Sequence, residues 1–176
     1  MHNIWFTADL HLLHPNVVDH CSRPISKEFH DEWLIDRINS RVSKRDTLYI
    51  LGDVSMANRE STERLMGRIN GNKHLILGNH DTNLKNSKVF ESVSQIKKIK
   101  PKLLDNHKIF IILCHYPIAS WEDKVKGSYH FYGHTHGRFN NSGLSWDVGV
   151  DKNNYFPLEL NQVIELIKHN KDVKSV

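Results

Sequence analysis

Thirteen histidines mark this chain, and histidine is both the commonest metal ligand and the side chain that titrates near neutral pH. Several stand beside acidic or amide residues at short spacing: Asp9-Leu10-His11, Gly52-Asp53, Gly78-Asn79-His80-Asp81, His115, and Gly133-His134-Thr135-His136. Imidazole and carboxylate donors without thiolates suit Mn, Fe, Zn and similar first-row ions. Asp9, His11, Asp53, Asn79, His115, His134 and His136 make seven candidate ligands, too many for one tetrahedral ion. They fit two ions that share a carboxylate. Such a pair, about 3.5–4 Å apart, clamps a phosphoryl group and generates hydroxide at neutral pH.

Each motif follows a short apolar run, so the elements that position it read as strands. Ile4-Trp5-Phe6, Thr47 to Leu51, His74 to Leu77, Lys108 to Cys114 and Tyr129 to Tyr132 each run into one of them. The carboxyl ends of strands in α/β sheets are where ligands bind, because the core holds the strands while their ends open to solvent. Asp9 and His11, like His134 and His136, are two residues apart, which on an extended chain places them on one side. Gly52, Gly78 and Gly133 precede candidate ligands where the chain must turn sharply. Cys114 invites a nucleophile reading, but its place at the end of an apolar strand predicts a buried, inert thiol.

Helical periodicity from Ser26 to Val42, with Phe29, Trp33, Leu34, Ile38 and Val42 on one face, predicts a helix capped by Ser26. A second spans Arg59 to Ile69, and Asn161 is placed to cap a third with Val163, Ile164 and Ile167 inward. Weaker strand patterns cover Ser92 to Ile99, Lys102 to Leu104, Leu144 to Val150 and Phe156 to Leu160, and Asp105-Asn106-His107 reads as a hairpin turn. Trp33, Phe110, Phe131 and Trp146 read as core, and the tail with Lys171 and Lys174 as solvated. Strand–helix alternation followed by a strand-rich half predicts an α/β sandwich.

The composition agrees with one soluble, cytoplasmic domain over residues 1–176. The chain has 176 residues, 39% of them hydrophobic and 25% charged, enough to bury one core. No run approaches a membrane span, and the start lacks the basic, apolar form of a signal peptide. The two cysteines, Cys21 and Cys114, form no CxxC pair. A net charge of +4 suits an acidic ligand without marking a nucleic-acid binder; the run Lys97, Lys98, Lys100, Lys102 reads first as a solvated face.

The five motifs, in this order from residue 9 to residue 136, resemble those of the calcineurin-like metallophosphoesterases. The segments His11-Leu12-Leu13-His14-Pro15-Asn16, Arg23-Pro24 and Trp146 to Asp151 are similar to the small, single-domain bacterial and phage branch. The resemblance implies a four-layer αββα sandwich of two facing mixed β-sheets flanked by helices. It implies two divalent ions, Mn first and Fe, Ni or Zn as alternatives. Asp9, His11 and His136 would hold the first, Asn79, His115 and His134 the second, and Asp53 both. His80 would give a proton to the leaving oxygen or a hydrogen bond to the phosphate, with Asp81 orienting it, while a metal-bridging hydroxide attacks phosphorus.

The family's Gly-Asp-x-x-Asp-Arg continuation is absent here, where the sequence reads Gly52-Asp53-Val54-Ser55-Met56-Ala57-Asn58-Arg59. Arg23 and Arg59 are the nearest stand-ins for its phosphate-contacting arginine, and His14 and Asn16 lie in a loop suited to substrate contact. The size of the chain leaves little for a protein-docking surface, so small nucleotides, cyclic nucleotides or other small phosphorylated compounds are the expected substrates. A nuclease acting on single-stranded ends through the Lys97–Lys102 face, and a non-catalytic metal-binding scaffold, remain the alternatives. A homo-oligomer is compatible with all of these, and a membrane partner is not expected.

Overall fold

The continuous apolar runs of the predicted strands require both faces to be covered, and two separate apolar layers meet that requirement. The computed structural model describes residues 2–103 and 108–170. In chain order the elements are β1 (Ile4–Thr7), α1 (Val17–His20), α2 (His30–Asn39), β2 (Thr47–Ile50), α3 (Arg59–Met66), β3 (Asn72–Ile76), β4 (Ser92–Ser94), β5 (Ile96–Ile99), β6 (Ile111–Cys114), β7 (Tyr129–Tyr132), β8 (Ser145–Asp147), β9 (Leu158–Glu159) and α4 (Leu160–His169).

They form two mixed sheets with flanking helices. The first has the order β4-β3-β2-β1-β9, parallel except for β9. The second has the order β5-β6-β7-β8, parallel except for β5. Alternate residues of β2 show the two layers. Leu48 and Ile50 pack with Leu34, Ile35 and Ile38 of α2 and with Leu65 and Met66 of α3. Tyr49 and the following Leu51 share the second layer with Phe6, Ile111, Leu113 and Phe131, joined by Val163, Ile164 and Ile167 of α4. α4 packs against β1, β8 and β9, touching both sheets. On the other face of β7 the Pro117–Ser128 loop covers His130, with Trp121 at 5.2 Å from its ring.

Several element boundaries differ from the sequence reading, each for a local reason. α2 begins at His30, because Ser26 and Lys27 spend their carbonyls on short turns to Phe29 and His30, and Phe29 is exposed rather than on the inner stripe. The cap of α4 is Glu159, which forms a capping box with Gln162, while Asn161 donates to the Glu159 carboxylate. Ser92 to Ile99 is not one strand: it divides at Gln95, β4 completing the first sheet and β5 the second. The strand expected from Phe156 shortens to Leu158–Glu159, since Pro157 has no N–H to offer. Phe110 is exposed beneath Lys98 and Lys100 instead of lying in the core. Lys102 forms a single bridge to Lys108. The turn expected at Asp105-Asn106-His107, Leu104, and the tail with Lys171 and Lys174 lie outside the described residues.

Candidate metal centre

The ends of β1, β2, β3, β6 and β7 converge at one edge of the two sheets. Backbone bonds from Asp9 N to Gly52 O, His11 N to Asp53 O and Leu12 N to Val54 O lace the first loop to the second. Beyond β1 and β7 the chain is not extended. Asp9, His11, Asp53, His134 and His136 all have φ between 49° and 69°, a region non-glycine residues enter rarely. The i,i+2 pairs therefore reach the same place by left-handed kinks rather than by strand alternation.

Two donor sets share no residue, and a third group, Cys21, His136 and Asp151, overlaps the first at His136. Asp9, His11 and His136 offer ligand atoms within 4.8 Å of one another, and so do Asp53, His115 and His134. Asp53 Oδ2 lies 3.7 Å from His11 Nε2 and 3.5 Å from His115 Nε2, so one carboxylate oxygen stands between the sets. Asn79 Oδ1 is 3.2 Å from His115 Nε2. All seven residues expected as ligands are thus brought together.

Ring orientation is fixed from outside. His115 Nδ1 donates to Leu51 O at 2.7 Å, leaving Nε2 for the site. His136 Nδ1 donates to Asp151 Oδ2 at 2.7 Å. Such carboxylate–histidine contacts set the tautomer of metal-binding imidazoles. Asp147 serves the same loop from its other side, accepting from Thr135 Oγ1, Gly137 N and Gly149 N. Neither Asp147 nor Asp151 carries a role in the sequence reading, although the Asp-x-x-x-Asp spacing at the end of β8 is its visible sign.

The electrostatics of Asp9 and His11 fit a cation, whereas at His136 burial works downward but is outweighed by the Asp151 hydrogen bond, giving a pKa of about 10. Asp9 is fully buried, and among the described residues its carboxylate accepts only from His134 N, at 2.9 Å to each oxygen. Burial pushes its pKa up to about 7, against the lowering influence of His115 and His136, so the contacts it has do not offset the loss of water around its anion. Burial also drives His11 down to about 3, which keeps it a neutral ligand. Its Nδ1 is buried with no hydrogen-bond partner. At Asp53 burial works upward but is outweighed by the His115 hydrogen bond and charge, giving about 2. An orphaned ring nitrogen, a buried carboxylate and two separate sets of imidazole and carboxylate donors together suit divalent first-row ions.

The remaining predicted site residues divide. His80 is exposed, with its ring 5.7 Å from that of His11 and its backbone N–H on Asp53 Oδ1. His14 lies 5.8 Å from the His11 ring and accepts from Asn16 N; Asn16 itself is exposed beside Lys27. Asp81 is not oriented toward the His80 ring. Its buried carboxylate accepts from the backbone of Asp53, Val54 and Gly78 at 2.8, 2.9 and 2.8 Å, because these loop amides have no strand partner. Arg23 is no phosphate contact either. It is 4% exposed, and its five donors are committed to both Asp151 oxygens, Asp9 O, Leu10 O and His30 Nε2. Arg59 pairs with Glu63 and Asn86 O. Cys114 is buried, with its thiol pKa raised by burial.

Against known proteins, residues 2–138 match the family model of the calcineurin-like phosphoesterases. The chain belongs to that family. Its curated relatives include the Gene 66 protein of Mycobacterium phage L5, 32% identical over 162 residues that cover 77% of this chain and 78% of the relative. An uncharacterized protein of Methanocaldococcus jannaschii is 27% identical over 100% of this chain and 97% of its own. A solved structure from Aquifex aeolicus, described as a protein of unknown function, superposes with a TM-score of 0.71 at 21% identity, covering 94% of this chain and 100% of that one. Membership in a phosphoesterase family agrees with hydrolase chemistry and with divalent-metal binding at the two donor sets. No helix among the described residues is long and apolar enough to cross a membrane.

Proposed function

We propose that the protein is a two-metal phosphodiesterase acting on small nucleotide-like substrates. The observation that carries this reading is the position of Asp53 Oδ2 between the donor sets, 3.7 Å from His11 Nε2 and 3.5 Å from His115 Nε2. One carboxylate placed so would hold two ions as a pair. Asp9, His11 and His136 would hold one, and Asn79, His115 and His134 the other. Bound divalent ions supply positive charge against the phosphoryl oxygens and make water acidic enough to attack at neutral pH; Mn is the first choice, with Fe, Ni and Zn as alternatives.

The chain's own residues supply the rest. His80 is exposed on the Gly78–Asp81 loop beside the donor sets, where it delivers a proton to the departing oxygen, which leaves poorly as an anion. Asp81 holds that loop to the Asp53 loop. His14, next to His11, is placed to touch the substrate. Lys98 is tied to Glu122 and Asp123 at 2.5 and 3.1 Å, which takes positive charge away from the face a polynucleotide would need and favours small substrates.

The test is hydrolysis by metal-stripped protein with Mn, Fe, Ni or Zn restored, using a chromogenic phosphodiester and a phosphomonoester. Metal-dependent turnover that favours the diester and is lost in Asp53→Asn and in His80→Ala, the latter with its metal retained, supports the reading. Two ions bound per chain without turnover of either ester overturns it and leaves a metal-binding scaffold.

A further inference from the structure

A cavity of about 320 Å³ opens beside the second donor set. One wall is the Gly78–Lys85 segment, which also carries Asn79 and His80; another is Gln95–Ile96, where the chain passes from the first sheet to the second; the third is the end of β6 with Tyr116. We propose that this cavity is a subsite for the base of a nucleoside leaving group. The inference rests on the phosphodiesterase reading above and adds to it where the organic part of the substrate is held.

Shape and chemistry both point to a flat heteroaromatic ring. Leu77, Ile96 and Tyr116 give the cavity apolar surface, and Ile96 and Tyr116 are 58% and 44% exposed, a large apolar exposure for residues beside a polar centre. The Tyr116 ring lies 5.0 Å from that of His115 and 4.9 Å from that of His134, so an aromatic face adjoins the second donor set. A base stacks on such a face with little dependence on sequence. Thr82, Lys85 and Gln95 line the same space, and among the described residues no hydrogen bond or ion pair engages their side chains. Gln95 offers one acceptor and two donors, the pairing edge a base requires, while Lys85 suits a ring carbonyl. A lipid chain would leave these groups unpaired. The volume is at the low end of small-molecule sites, enough for one nucleoside and too small for a peptide helix or a duplex. His80 is on the same loop as the lining residues Gly78 and Thr82, with its ring 5.7 Å from that of His11, so one loop carries both the proton donor and part of the cavity wall.

The test uses nucleosides without phosphate, so that the readout does not depend on metal or turnover. Adenosine, guanosine, cytidine and uridine are titrated into the full chain, and the methyl resonances of Leu77 and Ile96 and the side-chain amide of Gln95 are followed by NMR. The expected result is saturable movement of these signals with at least one nucleoside, weakened about fivefold to tenfold in Gln95→Leu. Gln95 and Ile96 are surface positions, so Gln95→Leu and a second variant, Ile96→Asp, retain the fold, and both should lose affinity. Signals that stay still at millimolar nucleoside, or that move equally in both variants, overturn the subsite. Failure of the parent reading looks different: bound base without ester hydrolysis removes the phosphodiesterase and keeps the subsite, whereas hydrolysis of a methyl phosphodiester without base binding does the reverse.

Discussion

Arg23 grips both carboxylate oxygens of Asp151 at 2.8 Å, and Asp151 in turn receives His136 Nδ1 at 2.7 Å. The chain of contacts continues outward, since Arg23 Nη1 donates to His30 Nε2 and His30 Nδ1 donates to Asp31, which accepts the Leu13 amide. A single guanidinium thereby aligns, through Asp151, the imidazole of one candidate ligand and, through Asp9 O, the backbone of a second. Burial and this partner act in opposite directions on Asp151, and the carboxyl ends below its ordinary range.

Asp151→Asn should keep the shape and remove the charge that orients His136. The expected outcome is a tenfold to hundredfold loss of affinity at the first donor set, read as ion content after dialysis against graded free metal. Arg23→Ala should do more: removing one partner of a buried ion pair costs about 3–5 kcal/mol, visible as a lower urea midpoint even without metal.

Asp81 makes the second test. If its carboxylate serves the three loop amides, Asp81→Asn turns one acceptor into a donor that faces an N–H, and stability should drop by about 1–3 kcal/mol. A residue that only oriented His80 would instead lose activity at constant stability. Thermal unfolding of the metal-free protein separates the two.

A third expectation concerns Gly149. A Cβ there would stand 2.6 Å from Asp9 Oδ2 and 2.9 Å from Asp147 Oδ1. Gly149→Ala should therefore displace the Asp9 carboxylate and empty the first donor set before the second. Metal stoichiometry falling from two ions toward one, with an unchanged far-ultraviolet dichroism spectrum, is the result to look for.

The pH dependence of stability should carry the mark of His130, far from the donor sets in bonding. Burial pushes its pKa down to about 4 from the usual 6.5. Its Nδ1 donates to Ile112 O, and its Nε2 lies 3.2 Å from both Ile118 N and Tyr116 O; burial outweighs these backbone contacts and favours the neutral ring. Between those two pH values the unfolded chain takes up a proton that the folded chain does not, and stability declines as pH falls. The decline should reach about 3 kcal/mol from this residue. The unfolding free energies of wild type and His130→Gln, measured by denaturant from pH 7 to pH 4, should diverge by about that amount across the range, other histidines cancelling in the difference.

Much of the centre is legible in the sequence because its ligands are of unusual type and follow apolar runs: Asp53 after Leu48 to Leu51, His115 after Ile111 to Cys114. The supporting residues are not. Arg23 looks like any surface arginine until its partner Asp151, 128 positions away, is beside it. Asp81 reads as an acid next to a histidine, although its donors are backbone amides, which carry no signature in side-chain pattern. Element ends fail for a related reason. Ser92 to Ile99 has one continuous strand pattern, and only the partners of each half, β3 and β6, divide it between two sheets.

The left-handed backbone at the candidate ligands has a consequence for evolution and engineering. His134 is held at φ 69°, where glycine is at ease and a residue with a Cβ is strained by roughly 1 kcal/mol. His134→Gly should therefore unfold at a higher temperature than His134→Ala, although both lack the imidazole. Five non-glycine residues share this conformation at the centre, so selection for thermal robustness alone would erode the centre toward glycine. A library screened only for robustness should therefore lose aspartate and histidine first at these kinks, whereas one screened for metal binding should keep them.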